Sequence, residues 1–194
     1  MDGIKITFEK DKNEGIIVPE YIINQTLEYV QFWGEKKQEV LLFWAGIKNE
    51  ESTYVTSCIY PKAHPLYVTI DGNPCPTTNP PSPVYIQHMH EPVINLGIAE
   101  AAKVISEARK RNLTIIAQVH SHEHKAYHSP IDEQNPFDTS EGFLSVVIPE
   151  YGKQHANLLK SCAVYRCGAN GRFRQLSSQE IDKAIKVVEN RIIL

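Results

Sequence analysis

Residues 113–132, LTIIAQVHSHEHKAYHSPID, contain the most informative pattern of the chain. The part up to His120 is rich in β-branched residues and predicts a strand. His122 follows two residues later, and side chains two apart on an extended chain point to the same face. Four of the eight histidines fall within residues 120–128. Two imidazoles can therefore meet one ion at the strand end, and Asp132 can supply a third ligand after a short loop.

A metal centre of this composition has a known chemical use. Catalytic zinc takes three protein ligands from His, Asp or Glu and leaves the fourth position to water. The ion lowers the pKa of that water towards ~7, which provides a nucleophile at neutral pH. Two other zinc patterns are excluded, because Ala126 stands where H-E-x-x-H needs its second histidine and no P-C-x-x-C follows. His88 and His90 form a second H-x-H without a spaced acid, and we interpret them as structural or loop histidines.

The composition is that of one globular domain, which we place at residues 1–194. The net charge is -3 and no basic stripe occurs, which argues against nucleic acid as a partner. The apolar runs, such as residues 40–45, are too short to span a bilayer, and residues 1–5 lack the apolar character of a signal peptide. We therefore expect a cytoplasmic protein without a membrane partner, and its oligomeric state stays open. The cysteines follow no metal or disulfide spacing and are interpreted as free thiols.

The order of predicted elements indicates an α/β (α+β) fold, a mixed β-sheet flanked by helices. Apolar residues at helical spacing predict helices at 19–35 and 95–111. The apolar run at 40–45 predicts a strand that is covered on both faces and ends at Gly46. Further strands are predicted at 52–60, 66–70, 84–88, 143–148 and 161–167. The buried side of the second helix is predicted to contain Ile98, Ala101, Ala102, Ile105 and Ala108.

The remaining segments are predicted to be loops and a final helix. Repeated prolines make residues 71–83 a loop, and residues 122–138 form a polar loop after the histidine strand. Ser177 and Glu180 have the spacing of a capping box, which predicts a last helix over about 178–192, after a core at about 15–176.

The sequence HSH at 120–122, followed by SPID at 129–132, resembles the motif of JAMM/MPN+ zinc metallopeptidases, in which H-S/T-H precedes S-x-x-D. That family also has an upstream glutamate seven residues before a glycine, and Glu39 has this spacing to Gly46. The resemblance covers roughly residues 15–175 and is closest to bacterial stand-alone members. It implies a single-domain MPN/cytidine-deaminase-like fold, with a mixed sheet flanked by helices.

The resemblance also implies a role for each matched residue. His120, His122 and Asp132 would bind Zn2+. Glu39 would take a proton from the attacking water and deliver it to the leaving amine. Ser129 would donate a hydrogen bond to the oxyanion that develops at the scissile carbonyl.

The chain departs from the family pattern in three places. Glu123 stands where the family usually has proline, and six residues rather than the usual seven separate His122 from Ser129. The loop also carries His124 and His128. These two histidines can be outer partners of the site, ligands of a second ion or exposed loop residues, and we favour exposed loop residues. Glu35 is a second candidate for the base, but its distance to Gly46 along the chain differs from the pattern.

The resemblance implies an isopeptidase or processing peptidase that cleaves after the C-terminus of ubiquitin or a ubiquitin-like protein. Its setting would be a bacterial ubiquitin-like conjugation or antiphage pathway, together with activating and conjugating enzymes. An alternative is a peptidase that releases cysteine or a peptide from a sulfur-carrier protein. A second alternative is a non-catalytic MPN scaffold, but scaffolds of this kind usually lack several of the five site residues retained here.

Overall fold

The structure, a computed structural model, describes residues 15–49, 52–61, 67–70, 73–74, 96–153 and 158–189. Within these ranges one mixed sheet of ten strands is accompanied by five α-helices, which confirms the predicted α+β class. The strands are β1 (Ile16–Pro19), β2 (Leu41–Lys48), β3 (Thr53–Tyr60), β4 (Tyr67–Ile70), β5 (Asn73–Pro74), β6 (Thr114–Ser121), β7 (Leu144–Ile148), β8 (Ala163–Cys167), β9 (Phe173–Gln175) and β10 (Ile185–Val188). The helices are α1 (Glu20–Gly34), α2 (Ile98–Lys110), α3 (Pro130–Gln134), α4 (Leu158–Ser161) and α5 (Ser178–Ala184).

Several predictions fall outside the described residues. They are the strand at 84–88, the His88 and His90 pair, Cys75, and residues 71–83 apart from β5. β5 is a short strand within the segment that was predicted to be a loop. Cys58, Cys162 and Cys167 are buried free thiols, in agreement with the interpretation of the sequence. None of the helices that the structure describes is long and apolar enough to cross a membrane.

The sheet places β6 at its centre. The strand order is β10-β1-β3-β2-β6-β7-β8-β9, and β4 and β5 extend from β3. β2 pairs with β6 in the antiparallel sense and β7 pairs with β6 in the parallel sense. The end of β6 therefore lies beside the start of β2 and the end of β7, and residues from three separate parts of the chain meet at that edge.

The central strand β2 is covered on both faces, as its unbroken apolar sequence predicts. Leu42 and Trp44 belong to the core cluster that also contains the buried residues of α1. Phe43 and Ala45 alternate with them and pack in the cluster under α2. Because each fully buried large apolar side chain contributes about 1.5–3 kcal/mol, the two clusters hold β2 firmly in place.

Two predictions about the sheet and its helices are wrong in detail. β2 does not end at Gly46 but continues to Lys48, with a register shift against β3 between Ala45 and Gly46. A Cβ at Gly46 would lie 1.8 Å from the Tyr54 carbonyl oxygen, so the glycine permits close approach of two backbones and does not terminate the strand.

The buried side of α2 is only partly the predicted one. Ala108 is buried as predicted and Val104 is buried although it was not predicted, whereas Ile98 is 92% exposed and Ala102 is exposed. Val104 lies four residues before Ala108, so both positions face the sheet across one helical turn.

The C-terminal helix and the polar loop differ from expectation as well. Ser177 and Glu180 form the predicted capping box, but α5 ends at Ala184 and the chain continues as β10. β10 pairs in parallel with β1, and this tertiary pairing outweighs helical propensity over residues 185–188. The predicted loop at 122–138 contains the short helix α3, which begins after Ser129.

Candidate metal centre

The start of β2 and the end of β6 are joined by a reciprocal pair of hydrogen bonds. The Ser121 backbone N–H donates to the Val40 carbonyl at 3.0 Å, and the Val40 N–H donates to Ser121 Oγ at 3.0 Å. Leu41 is the pairing partner of His120. These bonds bring Glu39, the residue before Val40, to the strand end that carries the histidines. No separate signal in the sequence indicated this role of Ser121, which lies buried between the two histidines.

His122 is fixed by its backbone and by one nitrogen of its ring. Its N–H donates to the Ile148 carbonyl at 2.8 Å, and its carbonyl accepts from the Tyr151 N–H at 3.0 Å. Nδ1 lies 3.3 Å from the Lys125 carbonyl oxygen, which can only accept. The proton is therefore assigned to Nδ1, and the lone pair of Nε2 is left for another partner.

Asp132 reaches the same point from the first turn of α3. The Ser129 N–H donates to Asp132 Oδ2 at 2.7 Å, and the Asp132 N–H donates to Ser129 Oγ at 3.3 Å, which together form a capping box. Oδ2 also lies 3.6 Å from His120 Nε2 and 3.8 Å from His122 Nε2. A capped helix terminus thus directs a carboxylate towards both imidazoles.

The three side chains fit a metal ion. Their ligand atoms lie within 4.8 Å of one another. His120 Nε2 is buried and has no hydrogen-bond partner among the described residues, although buried polar atoms are normally paired. Ligand bonds of about 2.0–2.1 Å in a tetrahedron place neighbouring donor atoms about 3.4 Å apart, close to the 3.6 and 3.8 Å between Asp132 Oδ2 and the two imidazole nitrogens. The group could therefore hold a cation. The distances of 3.6 and 3.8 Å from Asp132 Oδ2 to the two imidazole nitrogens are too long for ordinary hydrogen bonds.

The directions of the pKa shifts of His122 and Asp132 also favour metal binding. Burial lowers the pKa of His122, and the neighbouring His120 lowers it further, which favours the neutral imidazole that a metal requires. Burial alone would raise the pKa of Asp132, but contact with His120 and the hydrogen bonds of Ser129 outweigh burial and lower it. Asp132 is therefore a carboxylate at neutral pH, and it faces a His122 imidazole whose neutral form is favoured.

Glu39 lies near this group but outside its three ligands. The Glu123 N–H donates to Glu39 Oε1 at 3.2 Å, across 84 positions of sequence. The charge of Glu39 acts on the His122 imidazole and favours its protonated form. The other candidate base, Glu35, is exposed at the end of α1. The structure thus brings Glu39 to the site, and its action as a base stays a prediction.

Ser129 is half-buried and serves as the N-cap of α3. Its hydroxyl oxygen accepts the Asp132 N–H, so its own hydrogen is left to be donated elsewhere. The sequence SPID therefore has a local structural role in addition to the one implied by the family motif. Donation from Ser129 to an oxyanion stays a prediction.

The two additional loop histidines have different surroundings. His124 is exposed, as expected. His128 is 8% exposed, and the prediction of an exposed loop residue is wrong for it. Its ring stacks on Tyr165 with centroids 3.7 Å apart, and its centroid lies 6.1 Å from that of His120. Burial, with a smaller contribution from His120, lowers the pKa of His128 to about 4.

The fold and the site together define a class of protein, namely an α+β protein with a His-His-Asp group that could bind a metal ion. No protein-family model matches the chain. The sequence is similar to that of Probable metalloprotease y4jG of Sinorhizobium fredii (strain NBRC 101917 / NGR234). The two are 23% identical over 172 residues, which cover 89% of this chain and 93% of that protein.

A solved structure supports the description of the fold. The solution structure of protein DSY2949 from Desulfitobacterium hafniense matches with a TM-score of 0.53. The match covers 90% of this chain and 93% of that chain at 14% sequence identity. At this identity the likeness concerns the fold alone.

Proposed function

We propose that the chain is a zinc-dependent metallopeptidase of the JAMM type, with zinc held by His120, His122 and Asp132. The observation that carries the proposal is the convergence of two imidazole nitrogens and one carboxylate oxygen within 4.8 Å at the end of a central strand. Three ligands of this kind are typical of catalytic zinc, which keeps one position for water. The similarity to a protein named as a probable metalloprotease supports a peptidase.

The proposed reaction is hydrolysis of a peptide or isopeptide bond. Zinc, when bound, supplies a Lewis acid that polarises the carbonyl and activates water. The Glu39 carboxylate accepts the proton of the attacking water and later gives it to the leaving amine. The Ser129 hydroxyl donates to the developing oxyanion. The Glu123 N–H holds the Glu39 carboxylate at 3.2 Å, and the Lys125 carbonyl keeps Nε2 of His122 free of its proton.

The proposed substrate is a ubiquitin-like protein or its conjugates, because the motif resembles that of peptidases with this specificity. Its C-terminal tail would bind in extended form beside a sheet edge, with main-chain hydrogen bonds to the edge strand. The proposed setting is the bacterial cytoplasm, together with activating and conjugating enzymes of the same pathway. Release of cysteine or a peptide from a sulfur-carrier protein is the alternative that keeps the same chemistry.

The metal assignment is tested by the zinc content of purified protein. We expect about one zinc per wild-type chain and almost none in a His120→Ala, His122→Ala double variant, because two of three ligands are removed. His124→Ala is the matched control, since it removes an exposed histidine of the same loop. A wild-type protein without zinc would favour a non-catalytic scaffold and would remove the basis for the roles of Glu39 and Ser129.

The catalytic assignment is tested with a fusion cleaved after a ubiquitin-like C-terminal tail. Glu39→Gln should reduce kcat by ~10²–10⁴-fold, the usual contribution of a general base, with little change in zinc content. Glu35→Gln is the control, because it neutralises the exposed candidate at the end of α1. Equal activity of the two variants would exclude Glu39 as the base, and no cleavage of any such fusion by zinc-loaded protein would exclude the substrate class.

A further inference from the structure

A buried chain of polar side chains, which we call the polar chain, lies beneath the segment that carries Asp132. Gln118 Nε2 donates to Ser145 Oγ at 3.0 Å, and Ser145 Oγ shares a hydrogen bond of 2.8 Å with His128 Nε2. Gln118 and Ser145 are paired neighbours on β6 and β7. All three side chains are buried, with exposures of 6%, 0% and 8%. The polar chain therefore links two central strands to the residue that precedes Ser129.

The backbone and the ring of His128 are both held in place. The His128 N–H donates to the Tyr165 hydroxyl at 2.9 Å, and the imidazole lies flat on the Tyr165 ring at an interplanar angle of 9°. The ring of His120 is a further neighbour, with its centroid 6.1 Å from that of His128. Strands β6, β7 and β8 thus each contribute a contact to this single residue, which leaves it little freedom to shift.

α3 itself has few other means of attachment. It has five residues and none of them is buried. A helix this short is unstable alone, and without a buried apolar face it must be placed by its flanking residues. At its far end, the Phe137 N–H donates to Gln118 Oε1 at 3.1 Å. Gln118 is therefore linked to the backbone segments on both sides of Asp132. It reaches His128, which precedes Asp132, through Ser145, and it accepts directly from the N–H of Phe137, which follows Asp132.

We propose that His128 is a positioning residue for the metal centre, and that the polar chain holds α3 so that the Asp132 carboxylate lies opposite His120 before a metal arrives. This inference rests on the proposed function, since it assumes that Asp132 is a zinc ligand. His128 Nδ1 is buried without a hydrogen-bond partner among the described residues. An imidazole at this position therefore lowers the stability of the fold relative to an aliphatic side chain. A directional contact that fixes the ligand loop accounts for its presence.

The test measures the zinc dissociation constant of folded protein by competition with a chelator. His128→Leu keeps the apolar volume but removes the contact to Ser145, and we expect zinc binding ~10–100-fold weaker, as for other outer partners of metal ligands. His128→Gln can place an amide nitrogen where Nε2 lies, and it should recover most of the affinity. Ser145→Ala removes the same hydrogen bond from the other side, and it should weaken binding in the same direction.

A matched control separates positioning from a general loss of stability. Ile181→Ala removes a buried side chain of α5 and should destabilise the fold without changing the zinc dissociation constant. Unchanged zinc affinity in both His128→Leu and Ser145→Ala would overturn the inference. Equal affinities of the His128→Gln and His128→Leu variants would overturn the part assigned to the hydrogen bond. If the wild-type protein binds no zinc, the proposed function fails instead, and the two failures are therefore distinguishable.

Discussion

The Ser129–Asp132 and Ser177–Glu180 segments have almost the same local structure. In each, the serine N–H donates to the acid three residues later, at 2.7 Å and 2.8 Å respectively. In each, the backbone N–H of the acid donates back to the serine hydroxyl, at 3.3 Å and 3.4 Å. Both boxes begin a short helix and satisfy N–H groups that would otherwise lack partners.

The surroundings of the two acids differ. Asp132 faces His120 and His122, and its pKa is lowered despite partial burial. Glu180 is exposed and pairs with Arg174, with 2.9 Å between Arg174 Nη2 and Glu180 Oε1. The same local motif therefore presents a carboxylate to a metal site in one place and to a surface arginine in the other. The capping box determines where the carboxylate points, and the tertiary neighbours determine its use.

The largest expected difference between the boxes concerns zinc. Asp132→Asn keeps an oxygen that can accept the Ser129 N–H but removes the anionic ligand. If apparent zinc binding energies of about 10–16 kcal/mol are shared among three ligands, its loss should weaken binding by ~10²-fold or more. Glu180→Gln is the equivalent change in the other box and should leave zinc affinity unchanged. Chelator competition measures both constants, and similar values would mean that Asp132 is not a ligand.

Removal of the capping serine hydroxyl is expected to have a smaller effect, on the free energy of unfolding, and of the same size in both boxes. Ser129→Ala and Ser177→Ala each remove the hydroxyl that caps a helix, and each should lower the free energy of unfolding by about 1 kcal/mol. Denaturant unfolding of metal-free protein, with a chelator present, measures this cost without the contribution of zinc. A much larger loss for Ser129→Ala alone would show that the two caps are not equivalent and that Ser129 supports more of the structure than α3.

The smallest effect concerns pH and the exposed box. Hydrogen bonds from Arg174 and Ser177 lower the pKa of Glu180 to about 2. A lowered carboxyl pKa adds stability that is present above the ordinary value of about 4.3 and is lost as the pH falls through about 2. Wild type should therefore lose stability relative to Glu180→Gln between pH 5 and pH 2.

Denaturant unfolding of metal-free protein over that pH range measures this difference. Because Glu180 is exposed, added salt should reduce it. An Arg174→Gln variant is the control and should make the pH dependence weaker. If wild type and Glu180→Gln respond identically to acid, the Arg174–Glu180 pair does not contribute to stability in solution.

Local sequence signals were reliable where neighbours along the chain decide the outcome. The capping box at Ser177, the helix α1 and the fully buried strand β2 all follow from spacing within a few residues. The ends of elements were less predictable. Helical propensity did not reveal that residues 185–188 pair with β1, because that pairing joins positions about 170 residues apart in the chain. The buried side of α2 was likewise decided by the cluster around Phe43.

The sequence by itself determined the strand that carries His120 and the common face of His120 and His122, because both features depend on the period of an extended chain. The Ser129–Asp132 box was not recognised in the sequence, where residues 122–138 were predicted to be a loop, although it depends only on hydrogen bonds within one helical turn. Only the tertiary structure decided the rest. It brought Glu39 to the Glu123 N–H across 84 positions, and it buried His128 against Ser145 and Tyr165, 17 and 37 positions away. Such contacts depend on which strands become neighbours in the sheet, and spacing along the chain carries no record of that choice.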